Sequence, residues 1–454
     1  MKTIFISMFE GVEAKNLLRT AVVPTLLARK DVRVVLLMKS TQRVARYARE
    51  FAHPNLHFEV MPYDRSLGNG LDRLFGYLKF TLLNTRTTRL RRAFAFQERK
   101  NVVQYLWQSA LSMALARRSV RRLVRYLDYR LVAAPPGLEP AFEKWHPDLV
   151  VLAHLFEEPE VHVLRVARRR GIKVVGIVNS WDKVTSRAIM RLVPDQVLVF
   201  NDMVKDEMIR YNDVAPGRIR VCGIPQYDYL LSTTPTPRAE FMKACGIPAG
   251  DTLVVFAPFG RSFNATTWEA VDLLERMRSS GAWGNRVSLL VRFQPNDFIE
   301  EEEIRKRPGI HFQIPGERFS AERGVDWDMG EKGLNELRDT LAHMDALVCY
   351  ASSIAIDALI FDKPVINIAF ELTSGEVPSK LPTKHYEFEH YQKVLRHGAF
   401  GIAHTKEELE ALVKEALERP HARTAQRRAL LKEQLWLLDG RAGERMAQHI
   451  LKAL

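Results

Sequence analysis

Short runs of β-branched and aliphatic residues alternate with longer helical patterns along this chain, and the series occurs twice. The first series opens with a strand-like run at residues 3–7, passes through helical patterns at 16–18 and 22–27, and returns to a strand-like run at 32–38. Further runs follow at 56–60, 149–152, 173–178 and 196–200, with a helical pattern at 161–170. This is βαβ grammar, and runs that are apolar throughout read as parallel strands buried on both faces. Thr233-Thr234-Pro235-Thr236-Pro237 then interrupts, since it can continue neither a helix nor a central strand. Beyond it come strand-like runs at 252–256, 287–291, 310–314, 346–349 and 365–368, with helical patterns at 267–277 and 334–343. The expected fold is α/β, with two doubly wound Rossmann-like domains. Residues 1–232 form the first, with a basic helical insertion at 67–135, and 251–420 form the second after a linker at 233–250. A long C-terminal helix within 421–454 packs back across the domains. Tandem sheets of this kind turn the carboxyl ends of their strands toward a shared cleft, where ligands bind.

A chain of 454 residues, 46% hydrophobic and 27% charged, is too long for one core and too apolar for disorder. Cys222, Cys245 and Cys349 are scattered, which fits neither a disulfide framework nor paired zinc ligands and points to a reducing cytoplasm. Ile4-Phe5-Ile6 is too short for a signal-peptide core, and no run approaches the roughly 18 apolar residues of a spanning helix. The expectation is a cytoplasmic protein whose membrane contact, if any, is peripheral on the inner face. The net charge of +13 is concentrated, because residues 86–130 hold twelve Lys and Arg against Glu98 and Asp128. Their arginines flank an apolar centre, Val102-Val103-Gln104-Tyr105-Leu106-Trp107. An anionic membrane surface, a nucleic acid or a polyanionic acceptor would each suit such a segment. No aromatic-interleaved or glycine-rich recognition motif accompanies the arginines, which disfavours nucleic acid.

Residues 346–368 form a compact strand, turn, helix, strand unit. Unpaired N–H groups at the start of its helix, with the hydroxyls of Ser352 and Ser353, offer donors to a diphosphate, and Asp357 one turn on offers an acceptor. The competing reading makes either serine a plain N-cap. Arg292 ends the 287–291 strand, where a guanidinium can clamp phosphate oxygens, and Arg261 follows the 252–256 strand in the same way or is an ordinary surface residue.

At these residues the chain resembles GT-B proteins of bacterial surface-polysaccharide assembly, including the CDP-glycerol glycerophosphotransferase-like group. The markers are Ser180-Trp181-Asp182 with Thr185-Ser186, the turn Gly223-Ile224-Pro225-Gln226-Tyr227-Asp228, Arg292-Phe293-Gln294-Pro295, Ser352-Ser353 with Asp357, and Asp362-Lys363-Pro364. The resemblance implies that the later markers line a nucleotide-donor site. A basic residue followed by His-Pro, familiar in that group, appears here as Arg292 to Pro295 without the histidine. It further implies that the first domain receives a glycan or lipid-linked acceptor, and that the donor is a nucleotide-activated sugar or glycerol with no further cofactor required. In inverting members the first domain also supplies the catalytic base.

A base must reach the acceptor hydroxyl from a loop after a strand. Glu10 and Glu13 follow the first strand, His154, Glu157 and Glu158 follow the fourth, and Asp182 follows the fifth. Glu10, Glu158 and Asp182 are the named candidates. Trp181 beside Asp182 could stack on a sugar, or the pair could simply hold the loop. Asp326-Trp327-Asp328 has the spacing of a metal-binding carboxylate pair, but with Glu322 and Arg323 nearby it reads as a solvated turn, and no metal is expected. His385, Tyr386, Glu389 and His390 could reach a nucleotide or form a polar helix face. Besides transfer, the sequence admits a nucleotide-sugar 2-epimerase-like enzyme and, less well, a non-enzymatic nucleic-acid-binding protein.

Overall fold

The computed structural model describes residues 1–9, 11–61, 70–261, 263–295, 297, 299–318, 327–373 and 378–454. Two compact units emerge. One comprises Met1–Phe96, Asn101–Leu231 and Leu435–Leu454, and the other Gln97–Lys100 with Ser232–Gln434.

The first unit holds seven strands: β1 (Lys2–Met8), β2 (Val32–Met38), β3 (Leu56–Val60), β4 (Leu149–Leu152), β5 (Lys173–Ile177), β6 (Gln196–Val199) and β7 (Ile219–Val221). All pair in parallel in the order β3-β2-β1-β4-β5-β6-β7. Alternate side chains of β1, β2, β4, β5 and β6 enter two separate cores. Ile4, Ile6, Val34 and Leu36 pack on one face, and Phe5, Val35, Leu37 and Val150 on the other. Burial on both faces is why these strands read as unbroken apolar runs.

The second unit repeats the plan with β8 (Thr252–Ala257), β9 (Val287–Arg292) and β10 (His311–Gln313). A two-stranded pair, β11 (Glu317–Arg318) and β12 (Trp327–Asp328), comes next, followed by β13 (Ala346–Cys349), β14 (Val365–Ile368) and β15 (Gly401–Ala403). Its parallel sheet runs β10-β9-β8-β13-β14-β15.

Two expectations need correcting. The C-terminal stretch is two helices, Thr424–Leu435 in the second unit and Ala442–Ala453 in the first. Trp436 and Gly440 between them take positive φ, and the Asp439 side chain accepts from the Arg441 N–H at 3.1 Å, a turn that stops one helix and starts the next. The proline-rich stretch at 233–250 is a docked element more than a free linker. It contains the helix Arg238–Ala244, the Thr236 N–H donates to Asp339 at 3.1 Å, and Arg238 donates to Asp345 at 2.8 Å.

The described part of the insertion contains four helices, Gly70–Thr81, Arg86–Arg99, Val102–Leu115 and Arg118–Leu131, joined by short connections. A buried charge network ties it to the sheet layer. Asp128 accepts from Arg165 at 2.6 Å and from Arg191 at 2.8 Å, while Arg191 reaches Asp72 at 2.8 Å. Arg121 and Arg125 both pair with Asp213, at 2.6 and 2.9 Å.

Candidate functional site

In the second unit, strand order reverses between β8 and β13, the point at which sheets of this kind take ligands at their carboxyl edge. The loop after β8 turns at Gly260, whose φ is +84°. A Cβ there would strike the Gln294 side chain, whose amide donates to the Phe259 carbonyl at 3.1 Å, so the loops after β8 and β9 close on a residue with no side chain. The turn after β13 is pinned from within the sheet. The fully buried Asn367 donates to the Tyr350 carbonyl at 3.2 Å and accepts from the Tyr391 hydroxyl at 2.8 Å.

Ser352 is half-buried and Ser353 exposed on that turn. Ser353 stands at the N-cap position of a short helix, Ile354–Asp357, which tightens into a 3₁₀ turn over Ala358–Phe361. Its hydroxyl makes no capping bond. The Asp357 N–H donates to the Ser353 carbonyl at 3.2 Å, and the buried Asp357 carboxylate lies within electrostatic range of Arg292. Arg292 is buried and donates to Gln313 at 2.7 Å. Burial pushes its guanidinium down to about 10, against the opposing pull of Glu336 and Asp357. Ser352, Ser353 and Asp357 thus share one turn and helix, and Asp357 is the member of that set that interacts electrostatically with Arg292. Arg261 stands apart from that group: its guanidinium pairs with Glu300, and its backbone N–H donates to Asp297 at 3.1 Å. Asp362-Lys363-Pro364 precedes β14 and so lies at the opposite, amino end of the sheet. There Asp362 accepts from Arg427 at 2.6 Å and Thr424 at 2.8 Å, docking the Thr424–Leu435 helix.

Aromatic rings that the sequence reading did not single out gather around His385, which it did. Phe259 lies edge-on to the imidazole at 4.7 Å, Phe388 at 4.8 Å and Phe263 at 5.8 Å, and Phe263 remains 43% exposed.

In the first unit the order reverses between β1 and β4. Glu10 lies outside the described residues. Beneath this point sits Glu160, buried and contacted by Ser7, with the His154 N–H donating to its carboxylate at 2.8 Å. His154 itself is buried, touching Lys183, with Glu157 at 3.8 Å. Asp182 follows β5, accepting from Ser180 and, at 3.3 Å, from Ser186. Glu158 opens the helix Glu158–Arg169 and pairs with Lys79 at 2.7 Å and Arg191 at 2.5 Å. Burial pushes its carboxyl up, but the two cations outweigh burial and hold it below the usual carboxylate range. The oxygens of Glu158 are thus committed to internal ion pairs. Asp72, Glu158 and His162 place ligand-type atoms within 4.8 Å of one another, and Arg191 and Lys79 already supply the positive charge there. Asp326, Glu322 and Arg323 lie outside the described residues, and Asp328 is buried in the β11–β12 pairing.

Comparison with solved structures shows the fold. The S. aureus MnaA–UDP complex is 12% identical with a TM-score of 0.56, covering 100% of this chain and 98% of that one. UDP-GlcNAc 2-epimerase from Methanocaldococcus jannaschii is 12% identical with a TM-score of 0.55, each chain covered fully at 100%. The Neisseria meningitidis UDP-GlcNAc 2-epimerase bound to UDP-GlcNAc is 10% identical with a TM-score of 0.55, again at 100% coverage of both. The architecture is thus a two-unit α/β fold of the GT-B type. No curated protein matches the sequence. A family model does match, over residues 185–452, a span that includes Arg261, Arg292, Ser352, Ser353 and Asp357 but not Glu10, Glu158 or Asp182. Since that span exceeds half of its length, the chain belongs to the CDP-glycerol:poly(glycerophosphate) glycerophosphotransferase family.

Proposed function

We propose that this chain moves a glycerophosphate- or sugar-type group from a nucleotide-activated donor to a glycan or lipid-linked acceptor in cell-surface polymer assembly, at the inner face of the membrane. Membership of the glycerophosphotransferase family carries this reading. The donor lies at the carboxyl edge of β8 and β13. The Ser352 and Ser353 hydroxyls donate to its phosphates and Arg292, with Asp357, supplies the charge behind them. Arg261 joins only by leaving Glu300. The rings of Phe259, Phe263 and His385 offer the base a stacking surface.

For a glycerophosphate group, the acceptor oxygen attacks the donor phosphorus, the bridging P–O bond breaks and a nucleoside monophosphate leaves; for a sugar, the acceptor oxygen attacks the anomeric carbon, its C–O bond to the diphosphate breaks and a nucleoside diphosphate leaves. The acceptor proton passes to a carboxylate, for which Asp182 is the better placed of the two described candidates, since Glu158 is neutralised by Lys79 and Arg191. Positioning and charge stabilisation suffice for such a step, so no resident cofactor is invoked. The epimerases of like fold give a second reading. It predicts turnover of a UDP-sugar with no acceptor present.

Thermal shift with CDP, CMP, UDP, GDP and ADP tests the donor site. A nucleotide at about a hundred times its Kd should stabilise by about 2.7 kcal/mol. Ser353→Ala, at an exposed position, should lose most of that shift while keeping its unliganded midpoint. A full shift in both Ser353→Ala and Arg292→Ala, or no shift with any nucleotide, would remove the assignment.

A further inference from the structure

Arg292 and Gln313 are register partners at the carboxyl ends of the parallel neighbours β9 and β10, so their side chains leave the sheet on the same face. The backbone joins them as well, since the Phe293 N–H donates to the Gln313 carbonyl at 3.0 Å. The Gln313 amide is held at both ends. Its oxygen accepts from the Arg292 guanidinium at 2.7 Å, and its N–H donates to the Cys245 sulfur at 3.4 Å. The Thr340 hydroxyl lies 2.9 Å from the same oxygen and divides its proton between that oxygen and the Glu336 carbonyl at 2.6 Å. Turning the amide over would set N–H against N–H at the guanidinium, so the oxygen is kept toward Arg292.

Several other buried arginines of this protein are held differently. Arg121 pairs with Asp213 at 2.6 Å, Arg165 with Asp128 at 2.6 Å, Arg338 with Asp339 at 2.7 Å and Arg427 with Asp362 at 2.6 Å. Arg292, only 3% exposed, makes no ion pair among the described residues, and its guanidinium donates to a neutral amide. Glu336 and Asp357 act on it through their field without bonding to it. A cation taken out of water with no anion in contact is costly, and a carboxylate in place of the Gln313 amide would relieve that cost. It would also neutralise the charge. We infer that Gln313 is a positioning residue of the donor site: its amide oxygen sets the direction of the Arg292 guanidinium and, being neutral, leaves the positive charge to the phosphates of an incoming nucleotide. This rests on the donor site proposed above and adds the reason why the partner of Arg292 is an amide. Gln313 stands 21 residues from Arg292, and the β9–β10 register brings the two together.

Calorimetric titration of the full chain with CDP and with inorganic pyrophosphate tests it, in the parent, Gln313→Glu and Gln313→Met. Gln313→Glu keeps the side-chain shape and sets a carboxylate against the guanidinium. CDP and pyrophosphate should then bind about a hundredfold more weakly, as when a charge loses its partner at a binding surface. The unliganded thermal midpoint should hold or rise, because the buried cation has gained a counter-ion. Gln313→Met, of similar length with no acceptor, should weaken CDP about tenfold, the worth of one hydrogen bond to a charged group, and should lower the midpoint. A side chain that merely packs would reverse this order, with Gln313→Met tolerated and Gln313→Glu losing stability together with affinity. That reversed order, or CDP affinity in Gln313→Glu within about threefold of the parent, would overturn the inference and leave the donor site standing. A parent chain that binds neither CDP nor pyrophosphate would remove the donor site itself, and the inference with it. Should Gln313→Glu fail to fold, Gln313→Met decides, since full CDP affinity in that variant contradicts a positioning role.

Discussion

Asp72 has His162 at 3.2 Å and Arg191 at 2.8 Å from its carboxylate, with Glu158 and Lys79 completing the surroundings. Burial pushes its carboxyl up, but His162 and Arg191 outweigh burial and bring it down to about 2. A carboxyl with a lowered folded-state value binds protons more weakly folded than unfolded, so its contribution to stability is complete above the unfolded value of about 4 and fades as pH falls toward about 2. Asp72→Asn should therefore lower the thermal midpoint at about pH 5, and the gap from the parent should close between about pH 4 and pH 2. A gap that persists unchanged at acid pH would assign the effect to packing. None of these partners was legible in the sequence. Asp72 and Arg191 lie in segments with no periodic signal linking them, and Arg121 and Arg125, part of a cluster that suggested an anionic partner, pair internally with Asp213. Glu160 and Asn367 were missed for the same reason, since each acts through contacts to another strand. Ser352, Ser353 and Asp357 were visible because a strand, turn and helix bring them together locally.

At the level of elements, β2, β3, β4, β13 and β14 have the bounds that their apolar runs imply. Burial on both faces leaves little freedom about where β2, β4, β13 and β14 end, while β3 is a mostly half-buried edge strand to which that reason does not apply. Helix starts were less legible. Glu158–Arg169 begins three residues before its apolar pattern, because Pro159 and two acidic residues suit a first turn without contributing to the core stripe. The Asp439-Gly440 turn inside the C-terminal stretch was overridden in the reading by helical propensity on either side. The last helix, Ala442–Ala453, has an unusual cap. Asp228, in the helix Pro225–Ser232 that replaces most of the turn expected after β7, accepts from the N–H groups of Ala442 at 3.0 Å and Gly443 at 2.7 Å. The Gly223 to Asp228 marker is in this respect a fastening between distant parts of the chain. Removing a cap costs about 0.5–2 kcal/mol, and this one also fixes where the chain's end packs. Asp228→Ala should lower urea stability of the first unit by about that amount, with Asp228→Asn, which keeps one acceptor oxygen, losing less. Hydrogen exchange should quicken first in residues 442–453. Uniform loss of protection across the first unit would count against a capping role.

At the level of the whole molecule, two separate hydrophobic systems share one chain. The first sheet has a core on each face, and the second has its own cluster around Val254, Phe256, Leu289 and Val348. Large chains divided in this way commonly depart from two-state unfolding. The proposed donor residues, Arg292, Ser352, Ser353 and Asp357, all belong to the second unit, and the candidate bases Asp182 and Glu158 to the first. Calorimetry should accordingly resolve two transitions, and a saturating nucleotide should raise one of them. For a unit of about 200 residues, 2.7 kcal/mol corresponds to roughly 5–10 °C. Hydrogen exchange assigns the transitions. With nucleotide bound, protection should rise in peptides spanning 346–368 and 252–261, while peptides spanning 32–38 and 149–152 should keep their unliganded rates. Equal protection in both sets, with a single transition displaced as a whole, would mean that the ligand engages the first unit as strongly as the second, and the donor site would then have to be redrawn to include residues of both.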